Sequence, residues 1–261
     1  MKLFIKSYLI ALVLSSSLLL PAVASAATPA ESIDYRVMFK WGLVNKKAGT
    51  VNLSTYDKAG GATFDALLTA RSAKWADAFY EVRDTLKGEI SAATLEPLFY
   101  EKISHEGGHY KHDRLDYQRS GDKVTARCHR VNRPNPKAKT TESTITLEAD
   151  GLTLDMLSAF YFMRRLNFNT MQPGETKVLT VFSGTKKETL TITYLGKENV
   201  KIDRDIMPSY HIKFRFTGKG GKKSSDDMHA WISESVDRIP LKLVGKLPVG
   251  QVQCYYMPSA K

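Results

Sequence analysis

Apolar and polar residues alternate along most of the chain. The alternation is clear in IDYRVMFKWG (33–42), GTVNLSTYD (49–57) and ATFDALLTARS (62–72), which glycine-bearing connections separate. A period of two is typical of β-strands with one buried face. About twelve such runs follow one another, with no linker long enough to require two domains. The pattern predicts a mainly β fold, an antiparallel and strongly curved sheet or open β-barrel, as a single domain over residues 27–261.

One segment breaks the alternation. TLDMLSAFYFMRRL (153–166) is rich in helix formers and apolar around most of a helical circumference, which predicts one helix buried on several sides. The concave face or mouth of the curved sheet is the simplest place for it, with Leu157, Phe160 and Tyr161 facing inward. A single helical turn is also predicted just before a strand at about 81–91.

The segment ISHEGGHYKHDR (103–114) contains HEGGH at 105–109, which matches the HExxH pattern of zinc proteases. That pattern works on a helix, where both histidines share one face. Gly107 and Gly108 each cost about 1 kcal/mol in a helix interior, and together they favour a two-residue β-turn. The local sequence therefore predicts a hairpin.

Charge pairing supports this hairpin. A two-residue loop places Glu101 opposite Arg114 and Lys102 opposite Asp113, whereas a three-residue loop sets Glu101 against Asp113. A zinc hydrolase using HEGGH is therefore the disfavoured alternative, and no catalytic residue, cofactor or structural metal is predicted. Three histidines on these strands are the candidates for adventitious metal binding: His105, His112 and His129.

The N-terminus has the order of a secretory signal peptide. Lys2 and Lys6 precede an apolar run that Pro21 ends, and Ala-Ser-Ala at 24–26 forms a small-residue cleavage site. The apolar run is short for a membrane span, and no later run reaches the length of one. We expect cleavage after residue 26, export to the periplasm or cell envelope of a bacterium, and no transmembrane segment in the mature chain.

Charge and cysteine content refine this picture. The chain carries a formal net charge of +11 at pH 7, and removal of the two lysines of residues 1–26 leaves +9. This excess favours anionic partners such as lipid headgroups or an anionic envelope surface. Nucleic acid is not predicted for an exported chain without a nucleic-acid motif. Cys128 and Cys254 could form a disulfide in an oxidising compartment, but the sequence does not show whether their sulfurs meet.

Four segments, in this order, resemble an exported bacterial domain-of-unknown-function family, number 3108. They are YRVMFKWGLVNKKAGTVNLS, FYEVRDTLKGEISAATLEPLFYEK, DMLSAFYFMRRL and WISESVDRIPLKLVGKLPVGQVQCYY. The resemblance implies a β-rich envelope protein with no established activity. From Trp231 to about Gln253 the pattern is also weakly similar to lipoprotein carriers of the LolA and LolB type, which are curved half-barrels that hold acyl chains.

Three functions follow as hypotheses. The first is a non-enzymatic envelope protein that binds a lipid or other amphiphile in the sheet concavity, with an apolar lining and an arginine pair as a clamp for an anionic headgroup. The second is a structural or interaction protein that docks an envelope partner or surface glycan. The third is the zinc hydrolase. The oligomeric state is left open. The predicted ligand-lining residues are Trp41, Phe160, Tyr161, Met163, Arg164, Arg165 and Trp231.

Overall fold

A computed structural model describes residues 30–258 of the chain. The predicted signal peptide, residues 1–26, lies outside the described residues. Within residues 30–258, no helix has the length and apolar character needed to span a bilayer.

The described chain consists of fifteen strands and two short α-helices. The strands are β1 (Glu31–Trp41), β2 (Val44–Asp57), β3 (Thr63–Ser72), β4 (Val82–Ser91), β5 (Pro97–Glu106), β6 (His109–Ser120), β7 (Lys123–Arg133), β8 (Thr141–Asp150), β9 (Thr153–Leu154), β10 (Thr176–Ser183), β11 (Lys186–Ile202), β12 (Asp205–Thr217), β13 (Met228–Ser233), β14 (Pro240–Lys246) and β15 (Gln251–Met257). The helices are α1 (Lys74–Asp77) and α2 (Met156–Arg164).

All fifteen strands belong to one sheet whose order follows the chain. The order is β8-β7-β6-β5-β4-β3-β2-β1-β15-β14-β13-β12-β11-β10-β9, so β1 pairs with β15 and the sheet opens between β8 and β9. Every pairing is antiparallel except the short β9–β10 pair. The mainly β, strongly curved fold is therefore confirmed as a nearly closed barrel. The structure has more strands than the twelve or so predicted, in part because the two-residue β9 is too short to show alternation.

Two large apolar clusters fill the interior, and α2 lies between them. Leu157 and Tyr161 belong to the cluster on β2–β8, whereas Ala159 and Met163 belong to the cluster on β9–β13. Phe160 is half-buried and packs against both. The predicted burial of this helix on several sides is confirmed. Since α2 joins the two halves of a sheet that is open at its edges, it closes the barrel where strand pairing does not.

The helix begins later than the sequence predicted, because residues 153 and 154 form β9 and Asp155 is the N-cap. The Asp155 carboxylate accepts hydrogen bonds from the backbone amides of Leu157 and Ser158, at 2.7 and 2.8 Å. The Ser158 hydroxyl accepts in turn from the Asp155 amide. This reciprocal capping box satisfies amide groups that would otherwise be unpaired in the interior.

Because neighbouring strands are antiparallel, alternate connections lie at opposite ends of the barrel. One end, which we call the mouth end, carries the β1–β2, β3–β4, β5–β6, β7–β8, β10–β11, β12–β13 and β14–β15 connections. The other end, which we call the helix end, carries the β2–β3, β4–β5, β6–β7, β8–β9 and β13–β14 connections and the segments that flank α2. The long β11–β12 hairpin instead bends over the outer face, where Asp203 pairs with Arg36 in the middle of β1.

Candidate functional site

An apolar cavity of about 900 Å³ opens at the mouth end. The inward-facing residues of β1, β2, β3 and β15 form its wall, and α1 with the residues that follow it forms its roof. The lining is almost entirely apolar and includes Val37, Phe39, Trp41, Val51, Ala70, Trp75, Phe79, Val82, Leu247, Val252 and Cys254. Its volume is within the range of small-molecule sites, and barrel mouths are a common place for them.

A gradient in side-chain size explains why this end of the barrel is open. On the inner face of β2, Gly49, Val51 and Leu53 follow one another from the mouth end toward the helix end. On β3, Ser72 lies opposite Gly49, Ala70 opposite Val51 and Leu68 opposite Leu53. Large side chains fill the helix end, whereas small ones leave space at the mouth end, because nothing replaces the missing side-chain volume.

Trp75 holds the roof to the wall. Its indole N–H donates a 2.7 Å hydrogen bond to the backbone carbonyl of Lys47, and the Lys46 ammonium lies 4.5 Å from the centre of its ring. Phe79 packs edge-on against Trp75, with ring centroids 6.4 Å apart. The rest of Phe79 faces solvent, since the residue is 84% exposed. The roof is thus a short aromatic segment tied to the β1–β2 hairpin.

The base of α1 is fixed by polar contacts at the edge of the apolar lining. The Asp77 carboxylate accepts from the Ser72 hydroxyl at 2.5 Å and from the Arg83 guanidinium at 2.7 Å. The Arg83 partner lowers the pKa of Asp77, so this carboxylate is charged at neutral pH. The Ser72 hydroxyl also accepts from the Val82 amide. Both ends of the roof are therefore anchored.

A charged cluster lies next to the apolar lining on the inner faces of β4 and β5. The Lys102 ammonium is 3.3 Å from Asp84 and 3.3 Å from Glu106. Burial raises the pKa of Asp84 to about 6, with Glu106 also raising it and Lys102 opposing the shift. One lysine thus lies between two carboxylates whose mutual repulsion it reduces.

Cys254 is the thiol of the cavity wall. It faces Val37 across the β1–β15 pair, and burial raises the pKa of its thiol to about 11. Cys128 lies in the β2–β8 core cluster, and both cysteines are free. The disulfide that the sequence left open is not formed in this structure, because the two residues lie on β7 and β15, far apart in the sheet order.

The structure distributes the predicted lining residues over three regions. Trp41 lines the mouth cavity. Phe160 and Met163 pack into the core. Trp231 lies on the other face of the sheet from Ala230 and stacks on His211 at 4.2 Å. A ligand space beside α2 stays a prediction, since Tyr161, Arg164 and Arg165 line a cavity of their own at the end of this helix.

Arg164 and Arg165 lie at the helix end, away from the apolar cavity. The Arg164 guanidinium forms a bidentate ion pair with Glu31, at 2.7 and 2.6 Å, and donates to the backbone carbonyls of Asp237 and Arg238. Arg165 donates to a backbone carbonyl instead. Both arginines and Tyr161 line a separate cavity of about 620 Å³ with a mixed polar and apolar lining. Arg164 therefore already has structural partners for its guanidinium, and its role as a headgroup clamp stays a prediction.

HEGGH forms the predicted hairpin. Gly107 and Gly108 have φ of 56° and 84°, and the register pairs Glu101 with Arg114 and Lys102 with Asp113, as the charge pattern predicted. His105 pairs with Tyr110 and Glu106 with His109, so the two histidines of the motif lie on opposite faces.

The three candidate metal ligands are separated on the outer face. His105 contacts Tyr110, while His112 and His129 contact Glu101 and Glu142 at 2.8 and 3.4 Å. In the described part of the chain, no three histidine, cysteine or carboxylate side chains are arranged to hold a metal ion.

Sequence reasoning missed most of the cavity wall. Gly49, Ala70 and Val252 belong to ordinary alternating strands, and no single-residue pattern marks them as lining. A signal was available at Trp75 and Phe79, since two aromatic residues on one short helical turn between strands have little core of their own to enter. Such residues are expected either at a cavity or at an interface.

Comparison with known proteins agrees with this fold. No curated protein matches the chain. A solved structure, described as the crystal structure of a beta-barrel-like protein of domain of unknown function DUF1849 from Brucella abortus, matches with a TM-score of 0.60. The match covers 89% of this chain and 98% of that one at 10% sequence identity, so it shows a shared fold alone. The family model DUF3108, a protein of unknown function, matches residues 34–255, and the chain therefore belongs to the DUF3108 family.

Proposed function

We propose that this protein is a non-enzymatic carrier or sensor of the bacterial cell envelope that binds the hydrocarbon part of an amphiphile in the mouth cavity. The observation that carries the proposal is the cavity of about 900 Å³ with an almost wholly apolar lining. Water in such a space has few polar groups to bind, so a hydrocarbon chain displaces it favourably. The predicted signal peptide supports export, and the weak C-terminal similarity to lipoprotein carriers is consistent with an acyl ligand.

The chemistry of the lining supports binding without catalysis. The Ser72 hydroxyl donates to Asp77, and the Arg83 guanidinium lowers the pKa of this carboxylate, which makes it a weak base. Burial raises the pKa of the Cys254 thiol to about 11, which keeps it protonated and a poor nucleophile at neutral pH. A hydroxyl paired only with a weak base, and a thiol that stays protonated, do not provide the activated nucleophile that covalent catalysis requires.

The three tryptophans allow a direct test. Trp41 and Trp75 line the cavity, whereas Trp231 does not. A fatty acid brominated near the end of its chain should quench the fluorescence of the Trp231→Phe variant in a saturable way. The Trp41→Phe/Trp75→Phe variant, which retains Trp231 alone, should show no saturable quenching. Absence of saturable quenching in the first variant, or equal quenching in both, would overturn the proposal.

Chain length gives a second measurement. Each buried methylene contributes about 0.8 kcal/mol, which corresponds to about fourfold tighter binding per added carbon. Affinity should therefore rise steeply with chain length and level off when the cavity is full. A polar ligand recognised by its headgroup would instead show nearly constant affinity along the same series.

A further inference from the structure

The mouth end carries most of the large apolar side chains that the described residues expose. Twelve such side chains are exposed between residues 30 and 258, and seven of them lie on three connections around the cavity. Leu43 is fully exposed and Phe79 is 84% exposed. The seven residues are Trp41, Leu43, Val44, Phe79, Tyr80, Leu247 and Val249. A concentration of this kind at one end of a molecule indicates a surface that another phase or molecule covers.

Lysines without acidic partners alternate with these apolar residues. Segments 40–47 and 245–251 contain four lysines and no aspartate or glutamate, and a fifth lysine begins α1. All five are exposed, and within residues 30–258 none of them forms an ion pair. The five are Lys40, Lys46, Lys47, Lys74 and Lys246. The apolar rim of the cavity is therefore also a basic rim.

The charge asymmetry extends over the whole barrel. The mouth-end connections with their flanking residues contain fourteen lysines and arginines and five aspartates and glutamates. The corresponding segments at the helix end contain five lysines and arginines and ten aspartates and glutamates. The mouth-end segments are 40–47, 74–81, 106–111, 133–140, 184–187, 218–227 and 245–250. The helix-end segments are 30–32, 56–63, 91–97, 119–123, 148–155, 165–175 and 233–240. Such a separation orients the molecule in the field of a charged surface.

We propose that the mouth end docks on an anionic lipid bilayer, with the tips at Leu43, Phe79 and Val249 entering the headgroup region and the rim lysines contacting lipid phosphates. This inference rests on the proposed function, since it supplies the route by which an amphiphile reaches the cavity. Aromatic and aliphatic side chains interleaved with lysines are typical of interfacial membrane binding.

Charge complementarity selects the bilayer as the occupant. An anionic leaflet offers phosphates over the full width of the mouth end, so it engages the rim lysines and the more distant basic connections at once. In the docked orientation the cavity opens onto the leaflet, and a lipid chain enters without crossing water. Contact of the cavity roof with the leaflet also explains why the roof exposes the aromatic ring of Phe79 rather than burying it.

Vesicle binding tests the docking face. The chain from Ala27 retains every described residue and is mixed with vesicles of phosphatidylcholine, with or without phosphatidylglycerol, then sedimented. We expect binding to the phosphatidylglycerol vesicles that weakens as salt is added. Each lysine at an anionic surface contributes a factor of roughly five in partition, so Lys47→Gln/Lys246→Gln should lower it by about 25-fold. Leu43→Ser should lower it several-fold.

Matched controls lie away from the mouth end, at the helix end and on the β11–β12 hairpin. Lys123→Gln/Lys201→Gln removes the same charge from exposed positions, and Ile206→Ser removes an apolar side chain that is 69% exposed. Both controls should leave partition unchanged. Equal losses in the mouth-end and control variants, or no binding to phosphatidylglycerol vesicles, would overturn the docking inference. The latter result would leave an acidic protein partner as the remaining occupant of this surface.

A separate measurement keeps the two proposals distinguishable. Leu43, Lys47 and Lys246 do not line the cavity, so their variants should bind a monomeric brominated fatty acid as the parent does. Fatty-acid binding without vesicle binding would refute the docking face and leave the cavity proposal standing. Vesicle binding without fatty-acid binding would refute the cavity proposal and leave the docking face standing.

Discussion

Gly49 lies so close to Arg71 that a Cβ atom on residue 49 would overlap the backbone carbonyl oxygen of Arg71. The two residues belong to adjacent strands, β2 and β3, at the level of the mouth cavity. Only glycine permits this approach, and the same absence of a side chain leaves the inner wall open. One position thus brings two strands together and contributes to the space between the wall and the roof.

Filling this space should abolish ligand binding without unfolding the protein. Ala70 lies on the cavity wall, opposite Val51. Ala70→Phe should therefore enter the cavity, prevent saturable quenching by brominated fatty acids, and change the free energy of unfolding by less than about 1 kcal/mol. Ala66 lies on the same strand but is buried in the filled core. Ala66→Phe should cost about 1–3 kcal/mol by overpacking. Urea titration of both variants provides the comparison, and equal losses would show that the cavity is not open.

The strands and their order could be predicted because both depend on local pattern. Alternation marks each strand, and tight turns between consecutive runs leave an antiparallel meander as the simplest arrangement. The register of the β5–β6 hairpin followed from two ion pairs across Gly107–Gly108. Each of these features is encoded within about twenty residues of sequence.

The site could not be predicted in the same way, because its position depends on contacts between residues that are far apart in the sequence. The size gradient from Gly49 to Leu53 becomes a cavity only when β1 and β15 close the barrel. The run Ala230-Trp231-Ile232 is continuously apolar, so it does not show which face Trp231 takes. Arg164 looked available because its partner Glu31 lies 133 residues earlier in the chain.

The β5–β6 turn should be sensitive to substitution for two separable reasons. Gly107 has φ of 56°, and a Cβ atom there would also overlap the ring of Tyr80. Gly107→Val should therefore cost about 2–3 kcal/mol in the free energy of unfolding. Gly121 has a similar φ of 57° with open space around it, so Gly121→Val should cost only about 1 kcal/mol. Chemical denaturation measures both.

The Glu106→Gln substitution tests whether HEGGH forms only a hairpin or also a catalytic zinc site. In a zinc protease the substitution would remove the catalytic base, whereas here it should leave both the fold and fatty-acid binding nearly unchanged. A peptidase activity that the parent protein has and the variant lacks would contradict the hairpin interpretation.

Substitutions of the two arginines that end α2 should lower the free energy of unfolding by very different amounts. Arg164 is 7% exposed and pairs with Glu31, so Arg164→Met leaves a partly buried carboxylate without its partner and should cost about 2–4 kcal/mol. Arg165 is exposed and makes one hydrogen bond to a backbone carbonyl, so Arg165→Met should cost less than about 1 kcal/mol. Neither change should alter fatty-acid affinity, because neither residue lines the mouth cavity. Equal destabilisation by the two variants would show that the Glu31 pair is not structural.

The helix cap should make stability depend on pH. Burial raises the pKa of Asp155 to about 7, and the hydrogen bonds that its carboxylate accepts from the amides of Ser158 and Leu157 only partly offset this. One carboxylate oxygen is buried without a partner, which is consistent with a carboxyl group that resists ionisation. A raised acid pKa means that the folded state binds more protons than the unfolded state between the two pKa values.

The contribution of Asp155 to stability is therefore greatest below about pH 4 and decreases as the pH rises toward 7, above which it is constant. Asparagine keeps the capping oxygen but does not ionise. Relative to the parent, Asp155→Asn should thus gain on the order of 2–4 kcal/mol in the free energy of unfolding between pH 4 and pH 8. Asp122→Asn, at an exposed turn, should follow the parent curve. Urea titrations across this range provide the measurement, and parallel curves for Asp155→Asn and the parent would show that Asp155 ionises as readily in the folded protein as in the unfolded chain.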